Sequence, residues 1–198
     1  MTVVYIPDFI PSARAGKMFY ELWDELNWER REDAPRREYW TNTFDRDYTY
    51  GRGAGIRTYK AQELHRSIKE VSDALAAHTD VAVEFEGCFL NGYETSRDWL
   101  GWHADDDPGI DHSKPIAIVT LYGGEGVHTP RAIQFRQLVS FNEATNEKTW
   151  SEPQEVALEQ GSLCLMPAGF QDGNQHRIPK AGFNSRSRIS LTFRALIA

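Results

Sequence analysis

The chain has 198 residues, 40% of them hydrophobic and 12% aromatic, enough apolar material to bury one core and too little chain for several. A mean hydropathy of -0.56 and the lack of a long apolar run exclude a transmembrane helix. The formal net charge of -7 argues against nucleic-acid binding spread over the whole surface.

The opening MTVVYIPDFI has no basic stretch followed by an apolar one, so it does not read as a signal peptide. Cys88 and Cys164 sit in apolar runs and read as buried thiols rather than a disulfide framework. The chain is therefore expected in the cytoplasm, or in the nucleus if its source is eukaryotic, with no membrane partner and acting as a monomer.

Residues 14–29 place Met18, Phe19, Leu22, Trp23 and Leu26 on one helical face. The arginines that follow, Arg30, Arg31, Arg36 and Arg37, read as solvated surface charge. Residues 35–59, rich in Arg, Tyr, Thr and Gly, read as hairpins or loop, and residues 61–78 repeat the helical pattern with Leu64, Ile68, Val71 and Leu75. From residue 81 the pattern changes to short runs rich in Val, Ile, Leu, Phe and Thr: VAVEFEGCFLNGY, KPIAIVTLYGG, AIQFRQLVSF, QEVALEQGSLCLMP and SRISLTFRALIA. DDDPG, YGGEG, EQG, PAG and QDGN punctuate them as turns.

With no repeat or linker, residues 1–198 read as a single domain, with a two-helix N-terminal extension over about 1–80 and a β core over about 81–198. The fold class is α+β and mostly β, helices packing on an antiparallel sandwich or barrel. A jelly roll, or double-stranded β-helix, is the natural candidate; composition alone does not separate it from other β-sandwiches.

The strongest local signal is His103-Ala104-Asp105, followed 71 residues after the aspartate by His176. Residues i and i+2 of an extended segment point to one side, so His103 and Asp105 can converge, and a distant histidine completes two imidazoles and a carboxylate. That set suits Fe(II) and leaves positions open for an oxidant and a co-substrate. Read alone, a His and an Asp two apart are common in surface loops.

A second signal adds weight. In RISLTFR, Ile189, Leu191 and Phe193 face one way, and Arg188, Ser190, Thr192 and Arg194 the other. Two arginines on an enclosed strand face are costly unless an anion joins them. They lie about 20 Å apart along the strand, and side chains reaching in by roughly 6 Å each leave room for a five-carbon dicarboxylate. Arginine is the side chain best fitted to grip a carboxylate with two bonds.

These residues resemble the AlkB family of Fe(II)/2-oxoglutarate dioxygenases, the oxidative nucleic-acid dealkylases. The likeness spans about residues 35–194 and rests on NGY (91–93), WHADDD (102–107), PIAIVTLYGG with Arg131 and the FR at 135–136, GSLCLMPAGFQ (161–171), HRIPK (176–180) and RISLTFR (188–194). PRREYW (35–40) and YTYGRG (48–53) liken it most to the compact DNA-acting members. The resemblance implies Fe(II) held by His103, Asp105 and His176, with 2-oxoglutarate and O2 as co-substrates. Arg188, Tyr93 and Ser190 would hold the distal carboxylate, and Arg194 and Asn91 the end that chelates iron. For the substrate it implies Asp107 at the base's exocyclic group, Tyr50 stacking on an extruded base, and Tyr39 and Trp40 within a lid formed by 35–40.

The implied reaction is oxidative dealkylation of N-alkylated bases in DNA or RNA, releasing formaldehyde, with nucleic acid as partner and Arg177, Lys180 and Arg186 on its phosphates. The alternative is the same chemistry on another target: a different base modification, a protein side chain or a small molecule. Two departures bear on the substrate: Asn174 stands where the family carries Trp, and the 122–134 segment is longer than usual. His65, His78, His112 and His128 take no part in this constellation, and Gly123-Gly124-Glu125-Gly126 reads as a turn, since no Lys-Ser/Thr follows.

Overall fold

The computed structural model describes residues 2–32, 34–51, 56–124, 129–182 and 185–197. In chain order the described elements are β1 (Val4–Ile6), α1 (Ser12–Glu25), β2 (Arg37–Asn42), β3 (Tyr48–Tyr50), β4 (Arg57–Tyr59), α2 (Arg66–Ala77), β5 (Gly87–Tyr93) and β6 (Leu100–His103). They continue with β7 (Ile116–Tyr122), β8 (Arg131–Asn142), β9 (Glu147–Trp150), β10 (Gln154–Leu158), β11 (Leu163–Met166), a 3-10 turn (Phe170–Asp172), β12 (Asn174–Ile178) and β13 (Arg188–Arg194).

Both helices form where the apolar spacing places them, but shorter. At α1 the Asp8 carboxylate accepts from the Ser12 N–H, and Ala15, Met18, Phe19 and Leu22 are buried. Leu26 turns extended, and the Trp28 indole folds back to donate to the Leu22 carbonyl. At α2 the His65 ring accepts from the Ser67 N–H as a cap, and Ile68, Val71 and Leu75 are buried. Arg14 of α1 pairs with Glu21 and with Glu70 of α2, clamping the two together.

Six strands form one sheet in the order β1-β11-β7-β13-β5-β2, and β10-β8-β12-β6 form a second, with every pairing antiparallel. One face of the larger sheet, carrying Leu90, Val119, Leu121, Ile189, Leu191 and Phe193, packs on the two helices. Its other face meets the second sheet through Tyr93, Ile116, Ile118, Ile133, Phe135, Leu158 and Ile178. Helices on one face of a two-sheet antiparallel sandwich are the α+β, mostly β architecture the residue pattern predicts.

The differences have local causes. Residues 37–42, within the stretch read as hairpins or loop, are a strand of the larger sheet, β2 pairing with β5. Residues 81–86 are not strand; Ala82 has a positive φ. β6 and β12 carry a weak apolar pattern, because each has one apolar residue facing the cleft, Leu100 and Ile178, beside its histidine, while Trp102, Gln175 and Arg177 face outward. Cys88 and Cys164 are free and buried. No helix among the described residues is long and apolar enough to cross a membrane.

The 154–167 run divides between the sheets, β10 in the smaller and β11 in the larger. The chain crosses at Gly161, whose φ of 69° and whose absent Cβ (it would lie 2.0 Å from the Ile10 carbonyl oxygen) both require glycine. That carbonyl cannot move freely, because Ile10 N–H donates to the Gly161 carbonyl. Gly161→Ala is expected to cost at least about 2 kcal/mol, read as a fall in the urea midpoint at constant m-value. An unchanged midpoint would count against this reading of the crossover.

Candidate active site

β6 and β12 are antiparallel neighbours, and their register sets His103 directly opposite His176. Both rings therefore project to the inner face, with centroids 4.1 Å apart. Asp105 follows β6 in extended chain and is held there by the Gln171 side chain, which accepts from the Asp105 N–H. One ligand atom from each of His103, Asp105 and His176 lies within 4.8 Å of the others.

The donor chemistry of this triad fits a divalent metal. His103 Nδ1 is bonded to the Gly101 carbonyl at 2.9 Å, which places the ring proton there and leaves Nε2 facing Asp105 as a lone-pair donor. One Asp105 carboxylate oxygen pairs with Arg194 at 3.0 Å, while the other is buried without a hydrogen-bond partner. Burial lowers the pKa of His103. Burial and the neighbouring His103 push His176 down to about 3. Burial works to raise the Asp105 pKa, but Arg194 and the two histidines outweigh it and hold the carboxyl near 2. At neutral pH the set is two neutral imidazoles and a carboxylate.

These shifts fix a pH dependence for the metal-free protein. The unfolded chain takes up protons on its histidines below about 6.5, whereas folded His176 resists protonation down to about 3. The unfolded state therefore binds more protons throughout that window, and stability is lost as pH falls through it. The metal-free melting temperature is expected to drop between pH 7 and pH 5, and His176→Gln to flatten that slope.

A cleft of about 560 Å³, open solvent at its mouth included, runs from the triad between the sheets. β5 and β13 pair Tyr93 with Arg188 and Asn91 with Ser190, so all four share the inner face with Arg194. Asn91, Tyr93, Ser190, Arg194 and Tyr50 line the cleft with the triad. Arg188 is fully buried at the Tyr93 end, its guanidinium 5.2 Å from that ring. Its Nη2 donates to Thr120, while Nε and Nη1 have no partner. The Arg131 guanidinium lies 4.9 Å from the same ring and donates to the carbonyls of Thr95, Asp98 and Pro179. Among the described residues no carboxylate forms an ion pair with either arginine. A buried cation with unspent donors suits the far carboxylate of 2-oxoglutarate.

Other expectations shift. Asp107 does not line the cleft itself, but Tyr48, which does, donates its hydroxyl to the Asp107 carboxylate. Burial raises the Asp107 pKa. The Tyr48 and Tyr50 rings are nearly parallel, 6.3 Å apart. Tyr39 and Trp40, expected within a lid, are not among the residues lining the cleft. Tyr39 is core, packed on Trp28 with its hydroxyl donating to the Glu63 carbonyl. Trp40 donates to the Arg46 carbonyl and packs against Tyr48 and Phe89. Asn174 caps the 3-10 turn by donating to the Phe170 carbonyl. His65, His78 and His112 lie outside the triad; His128, Glu125 and Gly126 of the expected turn, and Arg52 and Gly53 of YTYGRG lie outside the described residues.

The pattern missed Arg36, Tyr48 and Gln171. Arg36, expected on the surface, is 6% exposed and lines the cleft. Its Nε donates to Asn91 Oδ1 at 2.6 Å, and its Nη2 pairs at 2.6 Å with Glu38, whose other oxygen accepts from Tyr59. With Oδ1 so engaged, the Asn91 amide presents its N–H groups to the cleft.

A family model described as the 2OG-Fe(II) oxygenase superfamily matches residues 2–194. The chain is 26% identical to alpha-ketoglutarate-dependent dioxygenase alkB homolog 3 of Homo sapiens, over 98% of this chain and 66% of that protein. It is 23% identical to DNA oxidative demethylase ALKBH2 of Arabidopsis thaliana, with the same two coverages; the chain thus spans just under two thirds of these relatives. Among solved structures, a prolyl-4-hydroxylase of Pseudomonas putida (TM-score 0.54, 14% identity, 98% of this chain and 92% of that one) shares the fold. So does a prolyl hydroxylase of Trichoplax adhaerens (TM-score 0.55, 12% identity, 97% and 83%), a fold this superfamily builds as a jelly roll. The chain is similar to these AlkB-type relatives and belongs to the 2OG-Fe(II) oxygenase superfamily, as an oxygenase using Fe(II), 2-oxoglutarate and O2.

Proposed function

We propose that the enzyme oxidatively dealkylates N-alkylated bases in DNA or RNA. The observation that carries this reading is the wall beside the triad. Tyr48 and Tyr50 present nearly parallel rings, and Tyr48 holds the half-buried Asp107 carboxylate. Flat rings next to a hydrogen-bond acceptor suit a heteroaromatic base with an exocyclic amine. The likeness to relatives named as a DNA oxidative demethylase and an alkB homolog points the same way.

In this reading His103, Asp105 and His176 hold the metal. Arg188, Tyr93 and Ser190 take the distal carboxylate of 2-oxoglutarate, and Arg194 with Asn91 orients its other end. Arg36 is a positioning residue, since it fixes the Asn91 amide. When bound, Fe(II), 2-oxoglutarate and O2 supply the oxidant: one oxygen atom enters a substrate C–H bond, and 2-oxoglutarate leaves as succinate and CO2. An N-methyl group oxidised to N-hydroxymethyl sheds formaldehyde and returns the N–H base. The protein's own work is to aim that methyl group and exclude water. The target base reaches the cleft only from a single strand or after extrusion from a duplex.

The test is anaerobic loading with Fe(II) and 2-oxoglutarate, then mass spectrometry of a panel of methylated oligonucleotides exposed to air. Loss of the methyl group from at least one is expected. Loss from none, with 2-oxoglutarate still consumed, would move the protein to the same chemistry on another target.

A further inference from the structure

We propose that the outer face of the smaller sheet is a phosphate track, centred on Arg136 and Arg177, for the single-stranded nucleic acid flanking the target base. This rests on the base-dealkylation reading above.

Side chains alternate across a strand. His103 and His176 point inward, so Trp102, Gln175 and Arg177 stand on the opposite face, joined by Gln134 and Arg136 through the β8–β12 register. There the side chains form an alternating stack. The Arg136 guanidinium lies 4.4 Å from the Trp150 ring and 4.5 Å from the Trp102 ring. Arg177 lies 4.5 Å from Trp102. Gln175 accepts from Arg136 Nε and Nη2, and Gln134 accepts from Arg177 Nε. These amides fix the guanidinium planes without neutralising them.

Among the described residues neither arginine forms an ion pair with a carboxylate. Glu155, at the β10 edge, bonds Gln134 instead. Burial, and then the charge of Arg177, lower the pKa of Arg136, as expected of adjacent like charges lacking a counter-anion. In a chain with 29 acids to 22 bases, two preoriented arginines held by amides rather than by carboxylates fit an anionic partner, with Glu152 and Glu155 bordering the groove beside Arg136. Lys180, beyond the end of β12, lies 5.9 Å from the exposed Trp99 ring and prolongs the line with a flat surface for a base. β6 is the last strand of its sheet and also supplies Leu100 and His103 to the cleft. A strand lying on this face reaches the cleft side by crossing one strand edge. Of the basic 176–194 stretch, Arg188 and Arg194 thus turn inward to the cleft and Arg177 outward to the partner.

The test is fluorescence anisotropy of a methylated single-stranded oligonucleotide across a salt series, using enzyme loaded with Mn(II) and 2-oxoglutarate. Arg136→Gln/Arg177→Gln is expected to weaken binding about tenfold near physiological salt. It should also reduce the slope of log K against log salt by roughly 1.4, at about 0.7 per phosphate on a single strand. Demethylation of a methylated mononucleotide, too short to reach the face, should be unchanged. If the double variant melts early, Arg177→Gln at a half-buried position and Lys180→Gln at an exposed one should each lower the slope by roughly 0.7. Unchanged slope and affinity, with demethylation intact, would overturn the track alone, and so would an equal loss on the mononucleotide. If the unmutated enzyme consumes 2-oxoglutarate but acts on no methylated base, the dealkylation reading falls and the track with it.

Discussion

Asp105→Ala is expected to abolish both metal binding and 2-oxoglutarate turnover. The carboxylate is the only anionic member of the triad, and without it two neutral imidazoles must hold a divalent cation. The substitution also has a structural cost. Asp105 pairs with Arg194 at 3.0 Å, both side chains under a tenth exposed, and removing one partner leaves a buried charge uncompensated, at about 3–5 kcal/mol. The metal-free variant should therefore melt lower than the unmutated chain. Metal stoichiometry by equilibrium dialysis under anaerobic conditions reads the first effect and calorimetry the second. His78→Ala, at the end of α2 against Phe9, should bind metal normally.

Arg188→Met is expected to separate function from stability in the opposite sense. The guanidinium is fully buried and has two nitrogens without partners, so in the ligand-free protein it is a desolvated cation with little to offset its cost. Methionine fills similar space, keeps contact with Tyr93 and carries no charge. The ligand-free variant should melt at or above the temperature of the unmutated protein. Its affinity for 2-oxoglutarate should fall on the order of a hundredfold to a thousandfold, the scale of losing one partner of a buried charge pair. Near-normal affinity would mean that the co-substrate's distal carboxylate is held elsewhere. A large fall in melting temperature would mean that Arg188 serves the fold first.

The parts of this site legible in the sequence are those with strand geometry behind them. His103 and Asp105 share a face because they stand two apart, and the Arg188–Arg194 face is set by alternation against Ile189, Leu191 and Phe193. The convergence of His176 on them needed the β6–β12 register, which no local pattern encodes, since both strands carry only a weak apolar pattern. Arg36 was illegible for a different reason. Nothing in Arg30, Arg31, Arg36 and Arg37 distinguishes one cation from another. Only the pairing of β2 with β5 sends Arg36 to Asn91 and Glu38, and Arg37 out to Trp23 and Glu94. Tyr39 and Trp40 read two ways, because aromatic residues near a site are equally good core. The register separates the two: Tyr39 lies opposite Leu90 in the helix-side core, and Trp40 lies opposite Phe89, behind the cleft wall.

The central claim, oxidation of an N-alkyl group coupled to 2-oxoglutarate, is tested most directly by quantifying succinate and formaldehyde together in one reaction on a methylated oligonucleotide. One formaldehyde is expected for each succinate formed above the level seen without oligonucleotide. Succinate that is unaffected by the oligonucleotide, with no formaldehyde, would contradict the claim.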